Sequence, residues 1–188
     1  ITVRGSDELG RLAGQIEAMR RDGAEAIVIY IHWGNEYQQQ SSTEQRELAK
    51  WLIEQGVDHI IGSHPHVVQP IELVPSAEHP THHAIVYSLG NYVSNMSIAH
   101  GDVGLAVELT LEKIGPTTRL KHLSYDFVWT ERAVLSRTAE FRIIPADTVP
   151  TDLTPEARIR KQYNSIISSR FVASANDINF ERISQCFI

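Results

Sequence analysis

Apolar and polar positions change period twice in the first sixty residues. Ser6 or Asp7 can cap a helix in which Leu9, Leu12, Ala13, Ile16 and Met19 recur at helical spacing, and Gly23 follows as a stop. "AIVIYI" (Ala26 to Ile31) is apolar without alternation, which predicts a strand buried on both faces between parallel neighbours. In "SSTEQRELAKWLIEQG", Ser42 and Gln45 stand at capping-box spacing, Leu48, Ala49, Trp51 and Leu52 form an apolar face, and Gly56 closes the segment. "VDHII" is a second short strand. The order helix, strand, helix, strand is the rhythm of a parallel α/β layer.

Beyond Pro70 the pattern becomes strands separated by turns: "IELV" (Ile71 to Val74), "AIVYSL" (Ala84 to Leu89) and "VGLAVELTL" (Val103 to Leu111). In the last, Val103, Leu105, Val107, Leu109 and Leu111 share one face at period two. Further strands are expected at "KHLSYDFVW" (Lys121 to Trp129) and "AEFRIIPA" (Ala139 to Ala146), and a helix from the Thr154 cap and Pro155 to about Arg170. No internal repeat or low-complexity tract interrupts the chain. It reads as one α/β domain, or the second half of one.

Composition narrows the function classes. The 188 residues are 42% hydrophobic and 21% charged, an ordinary globular balance. Seventeen basic against twenty-three acidic residues give a formal charge of −6, which argues against a sequence-independent grip on nucleic acid or an anionic membrane. Binding a polyanion would need a local cation, such as a metal. Cys186 is a single cysteine in the tail, so no intrachain disulfide forms. No apolar run is long enough for a membrane-spanning helix. Without a methionine or leader at Ile1, the chain reads as beginning inside a longer product.

The candidate chemistry lies where strands end. In "IIGSHPHVVQP" an extended backbone would send His64 and His66 to the same side, with Pro65 withholding an N–H from any ladder. "IVIYIHWGNEY" places His32 directly after the first strand. If the two strands are parallel, the intervening helix brings both carboxyl ends to one edge, where ligand sites form in open α/β sheets. Neutral imidazoles converging there could hold a borderline metal, or could be ordinary hydrogen-bonded loop residues. At a third junction, "AIVYSLGNY", Asn91 can join them or simply form a turn with Gly90. Glu36 is either a solvated loop carboxylate or a group that orients a ligand or moves a proton. Trp33 and Tyr37 either line a cleft or cover the sheet edge. His59 reads as a structural strand residue. His79, His82 and His83 read as solvent-facing loop residues, His100 and Asp102 in "HGDVG" could coordinate a ligand but are adequately explained by a turn entering the next strand, and His122 has no evident partner.

Taken together, "IHWGNEY", "TEQRELAKWLIEQGVDHIIGSHPHVVQPIE" and "VYSLGNYVSN" resemble the CapA family of poly-γ-glutamate capsule biosynthesis proteins, which has a metallophosphoesterase-like (calcineurin-like) domain. The resemblance covers roughly residues 1 to 145, with "YDFVWT" and "EFRIIPA" similar to the closing strands. It implies a sandwich of mixed β-sheets flanked by helices, with residues 1–150 as the later half of the domain and 151–188 as a helix and tail. It also implies a divalent metal centre of up to two ions (Mn, Fe or Zn), with His32 and His64 on one and His66 on the other. Glu36 and Asn91 would then support the ligands.

The earlier blocks of such a domain, an Asp-x-His, a Gly-Asp whose aspartate bridges the metals and an Asn-His whose histidine is the acid, have no counterpart in this chain. Histidines alone fall short of a tight site. The expectation is therefore a metal-dependent phosphoester hydrolase when complete, inactive as this chain alone. The alternative is a non-catalytic module of the cell envelope that binds or exports an anionic polymer. Phosphoester or anionic polymer, and other capsule-synthesis proteins, are the implied partners, with an extracytoplasmic or anchored location.

Overall fold

Helix α1 (Ser6–Arg21) starts with Asp7 and Glu8 and ends with Arg20 and Arg21, charges that complement its dipole. In this computed structural model, which describes residues 6–76, 81–135 and 138–145, it leads into strand β1 (Val28–His32). Helix α2 (Thr43–Glu54) opens with the predicted capping box. The Gln45 N–H donates to Ser42 Oγ at 3.2 Å, and the Ser42 N–H donates to Gln45 Oε1 at 3.0 Å. Strands β2 (His59–Ser63), β3 (Ile71–Pro75), β4 (His82–Val86), β5 (Val103–Ile114), β6 (Thr117–Leu135) and β7 (Thr138–Pro145) follow.

The strands form two sheets. The first has the order β1-β2-β4-β3, with β1, β2 and β4 parallel and β3 antiparallel to β4; the second is the antiparallel series β5-β6-β7. On one face of the first sheet, Leu12 and Ile16 of α1 and Ala49 and Leu52 of α2 pack with Ile29, Ile31, Ile60 and Ile85. On the other face, Ile71, Ala84 and Val86 meet Val103, Leu105, Leu120, Leu123 and Phe127 of the second sheet. The result is an α/β/β layering, the mixed-sheet sandwich that the sequence leads one to expect.

Particular expectations needed correction. β1 is not buried on both faces: its residues alternate, with Val28 48% and Tyr30 64% exposed, because β1 lies at the edge of the sheet and only the helix face is covered there. Met19 is also exposed, so Leu12 and Ile16 carry the buried stripe of α1. Leu111 leaves the face it was expected to share, because the register of β5 against β6 shifts between Thr110 and Leu111. His82 and His83 are not loop residues; they open β4, opposite Pro75 and Val74 of β3. The expected helix after Thr154, His79, Cys186 and the division at residue 151 lie outside the described residues.

Candidate metal site

The parallel pairing aligns His32 of β1 with Ser63 of β2, so both strands deliver their next residues to the same edge. The Trp33 N–H extends the ladder by donating to the Ser63 carbonyl at 3.1 Å. The His32 and His64 rings then lie 4.3 Å apart, and those of His64 and His66 6.0 Å apart. The route differs from the expected extended segment. His64 has φ 102° and His66 φ 60°, so left-handed kinks, rather than strand alternation, turn both rings inward. Such backbone disfavours side chains larger than glycine and concentrates at functional sites.

The loop after β1 brings Glu36 to the same place. One of its carboxylate oxygens is 4.0 Å from His66 Nε2, and the ligand atoms of Glu36, His64 and His66 all fall within 4.8 Å of one another. A gap of 4.0 Å is too long for a hydrogen bond but within reach of two bonds of about 2.1 Å to a shared ion. Tyr37 docks this loop on the histidine segment: its N–H donates to the Pro65 carbonyl at 2.7 Å, and its ring lies 6.1 Å from that of His66. A hydrogen bond to Glu36 raises the Tyr37 hydroxyl above the usual phenol value.

Asn91 settles which nitrogen of His66 is available. Its side-chain nitrogen donates to the Gly101 carbonyl at 2.8 Å and the His66 carbonyl at 3.2 Å, leaving Oδ1 to accept from His66 Nδ1 at 3.0 Å. With the proton on Nδ1, the lone pair of Nε2 faces Glu36. Gly90 makes this placement feasible. It sits at φ +68°, and a Cβ there would meet the Val103 carbonyl oxygen at 2.6 Å, so only glycine lets β5 approach closely enough to grip Asn91. The Asn91 N–H bonds Val103 O at 3.3 Å.

His32 is exposed at the margin of this cluster. Partial desolvation, and then the charge that His64 would carry, hold its imidazole below the ordinary value. His32, Glu36, His64, His66 and Asn91 therefore share one edge, and the compact donor set within it is Glu36, His64 and His66. Two imidazoles and a carboxylate are a donor set suited to a divalent ion with open positions for substrate or water.

The other residues singled out have structural places. Trp33 is buried, stacks on Tyr87 at 5.8 Å and donates from Nε1 to the Tyr87 carbonyl at 2.8 Å, so it covers the sheet edge. His59 is buried, and its Nδ1 accepts from the Ala84 N–H at 3.1 Å. Desolvation pushes its pKa down to about 4. His83 Nδ1 lies 3.0 Å from the Asp58 carbonyl oxygen, as a donor.

A cleft of about 450 Å³ opens at the opposite, amino-terminal end of β2 and β4, lined in part by Arg20, His59, His83 and Arg119. Charged groups there are paired with one another, Arg20 with Asp58, Lys113 with Glu25 and Arg119 with Glu112. Sequence reasoning missed the buried pair Gln45 and Gln69, which bond each other at 2.9 Å while Gln69 Nε2 donates to the Gln38 and Gln40 carbonyls. The signal was present in each case, a capping glutamine that is also buried and a single amide inside the apolar run "VVQPI".

This arrangement defines an α/β sandwich with a histidine and carboxylate cluster at the carboxyl edge of its parallel strands. The chain belongs to the bacterial capsule synthesis protein family PGA_cap, whose model matches residues 3–96 and so takes in both helices, the site loops and Asn91. It is similar to the PGA biosynthesis protein CapA of Bacillus subtilis (strain 168), 36% identical over 92 residues, which are 49% of this chain and 23% of that protein. It is also similar to the capsule biosynthesis protein CapA of Bacillus anthracis, 38% identical over 74 residues, 39% of this chain and 16% of that protein. The matched stretch thus spans about a quarter or less of either relative.

Proposed function

We propose that this chain carries part of the metal centre of a capsule-synthesis protein of metallophosphoesterase-like fold, which acts as a metal-dependent phosphoester hydrolase when complete. The supporting observation is the convergence of Glu36, His64 and His66 within 4.8 Å, with Nε2 of His66 freed by Asn91. Glu36, His64 and His66 would hold a divalent ion, and His32 would stand beside it to serve a second. Bound there, such an ion supplies charge stabilisation for phosphoryl oxygens and a lowered pKa for water. The chain's own residues do the rest of the positioning: Asn91 keeps the proton on Nδ1 of His66, and Tyr37 holds Glu36 by a hydrogen bond. The place of action we propose is the cell envelope; among the described residues no helix is long and apolar enough to cross a membrane.

A second reading is favoured by the relatives' names, which speak of biosynthesis of PGA and of capsule rather than of hydrolysis. In it the ion bridges the negatively charged fold to an anionic polymer such as poly-γ-glutamate, without turnover, and the partners are other capsule-synthesis proteins. Manganese-loaded full-length protein assayed against aryl phosphomonoesters and phosphodiesters separates the two. Turnover that disappears in His64→Ala and His66→Ala supports hydrolysis. Metal-dependent retention of poly-γ-glutamate without any turnover supports the polymer-binding reading, and the absence of both contradicts each.

A further inference from the structure

Gln69 is fully buried in the apolar run from Val67 to Ile71, and every hydrogen-bonding group of its side chain that faces a partner is used. Its Oε1 accepts from Gln45 Nε2 at 2.9 Å, and its Nε2 donates to the carbonyls of Gln38 at 2.7 Å and Gln40 at 3.1 Å. Gln45, 2% exposed, accepts the Ser42 N–H on its own Oε1 at 3.0 Å. Gly34 completes the fit: it lies at φ +82°, and a Cβ there would meet the Gln45 side chain at 2.6 Å. The segment from Gly34 to Ser42 is thus packed closely on the Gln45 side chain at its beginning and hydrogen-bonded by the two buried amides at Gln38, Gln40 and Ser42. Glu36 and Tyr37 lie between those anchors.

Burying an amide is costly unless its bonds are made, and an apolar side chain of the same shape would stabilise a core as well or better. A fully bonded pair of buried amides instead specifies one geometry. Here that geometry relates two halves of the cluster, because Gln69 follows His66 by three positions on the segment that carries both imidazoles, while its contacts are on the loop that carries the carboxylate. We propose that Gln69, acting with Gln45, is the positioning residue that sets Glu36 at ligating distance from His64 and His66. This rests on the reading that these three residues hold a divalent ion.

Gln69→Glu keeps the shape and the acceptor for Gln45 but cannot, when ionised, donate to the Gln38 and Gln40 carbonyls. Manganese affinity, read by electron paramagnetic resonance on the full chain, is measured for wild type, Gln69→Glu, Glu36→Gln and the double variant. Acting through Glu36, Gln69→Glu weakens Mn²⁺ binding roughly tenfold to a hundredfold in the wild-type background. The same change has an effect of less than about twofold when Glu36 is already Gln. An equal loss in both backgrounds, or none in either, overturns the proposal. Gln69→Met tests the same link should Gln69→Glu fail to fold.

Amide hydrogen exchange at Tyr37, whose N–H is bonded to Pro65 O, gives a reading that needs no metal. Faster exchange in the Gln69 variants, with unchanged protection in the β2 strand, is the expected result. If wild type binds no Mn²⁺, the cation reading fails on that ground, and unchanged Tyr37 protection in the variants overturns the positioning role independently.

Discussion

Asn91 Oδ1 lies 3.0 Å from His66 Nδ1, while the same side chain's nitrogen donates to the Gly101 and His66 carbonyls, so the amide can be turned only one way. That orientation decides the tautomer of His66 and directs its Nε2 toward Glu36. Much of the site's chemistry follows from this pair, since a histidine ligates through whichever nitrogen its other hydrogen bond leaves free.

Asn91→Ala is therefore expected to weaken Mn²⁺ binding roughly tenfold to a hundredfold. It should also lower stability by about 1–3 kcal/mol, because the Gly101 carbonyl loses its donor. Isothermal titration alongside urea unfolding separates the two effects. Unchanged affinity with lowered stability would show that Asn91 is a loop anchor only.

Gly90→Ala should be destabilising by more than the usual surface substitution, on the order of 1–3 kcal/mol, because it adds strain at φ +68° and a clash with Val103 O. Gly14→Ala, in the exposed part of α1 with no atom within 4 Å of the added Cβ, serves as the control and should stabilise by up to about 1 kcal/mol. Chemical denaturation of both variants checks the contrast.

Leu52 is fully buried under the helix face of the first sheet, so Leu52→Ala is expected to cost about 2–5 kcal/mol. Metal affinity of the folded fraction should be unchanged, because Leu52 packs in the helix-side core and lies on none of the loops that carry Glu36, His64 and His66. A large affinity change with little loss of stability would contradict this division between core and edge.

His59 makes a prediction about pH. Its folded pKa of about 4 lies below the unfolded value of about 6.5, with desolvation the chief cause and Asp58 opposing it. The unfolded chain thus binds a proton that the native chain refuses, and stability falls as pH drops from 6.5 toward 4. Above the unfolded pKa the group is neutral in both states and contributes no slope. The full effect is roughly 3 kcal/mol. In His59→Gln this share of the acid sensitivity should vanish, which a series of denaturation midpoints between pH 7 and pH 4 would reveal. Parallel pH curves for variant and wild type would refute it.

The periodicities of the chain made the layer order legible: α2 with its capping box, the parallel β1 and β2 and the period-two face of β5 as far as Leu109 follow from local rules, which the register shift after Thr110 overrides only at Leu111. The place of β1 was not legible, because an apolar run such as "AIVIYI" looks the same in a central strand and in an edge strand whose outer face is uncovered. His82 and His83 were misplaced for a related reason, since the polar, proline-containing sequence "SAEHPT" before them hides the start of β4.

At the site, His32, His64 and His66 were readable as an edge cluster, as strand ends fix direction in a parallel pair. Their geometry was not readable. The left-handed φ of His64 and His66 runs against their residue type, and the approach of Glu36 depends on the buried amides of Gln45 and Gln69, far from it in sequence pattern. Local propensity carries no information about either.

The most direct test of the central claim is the stoichiometry and affinity of Mn²⁺ binding to the full chain, compared with Glu36→Gln, His64→Ala and His66→Ala. The account predicts binding by wild type and a loss of at least about tenfold in each variant, with folding retained by circular dichroism. Wild-type binding that survives all three substitutions unchanged, or no binding by wild type at all, would contradict it.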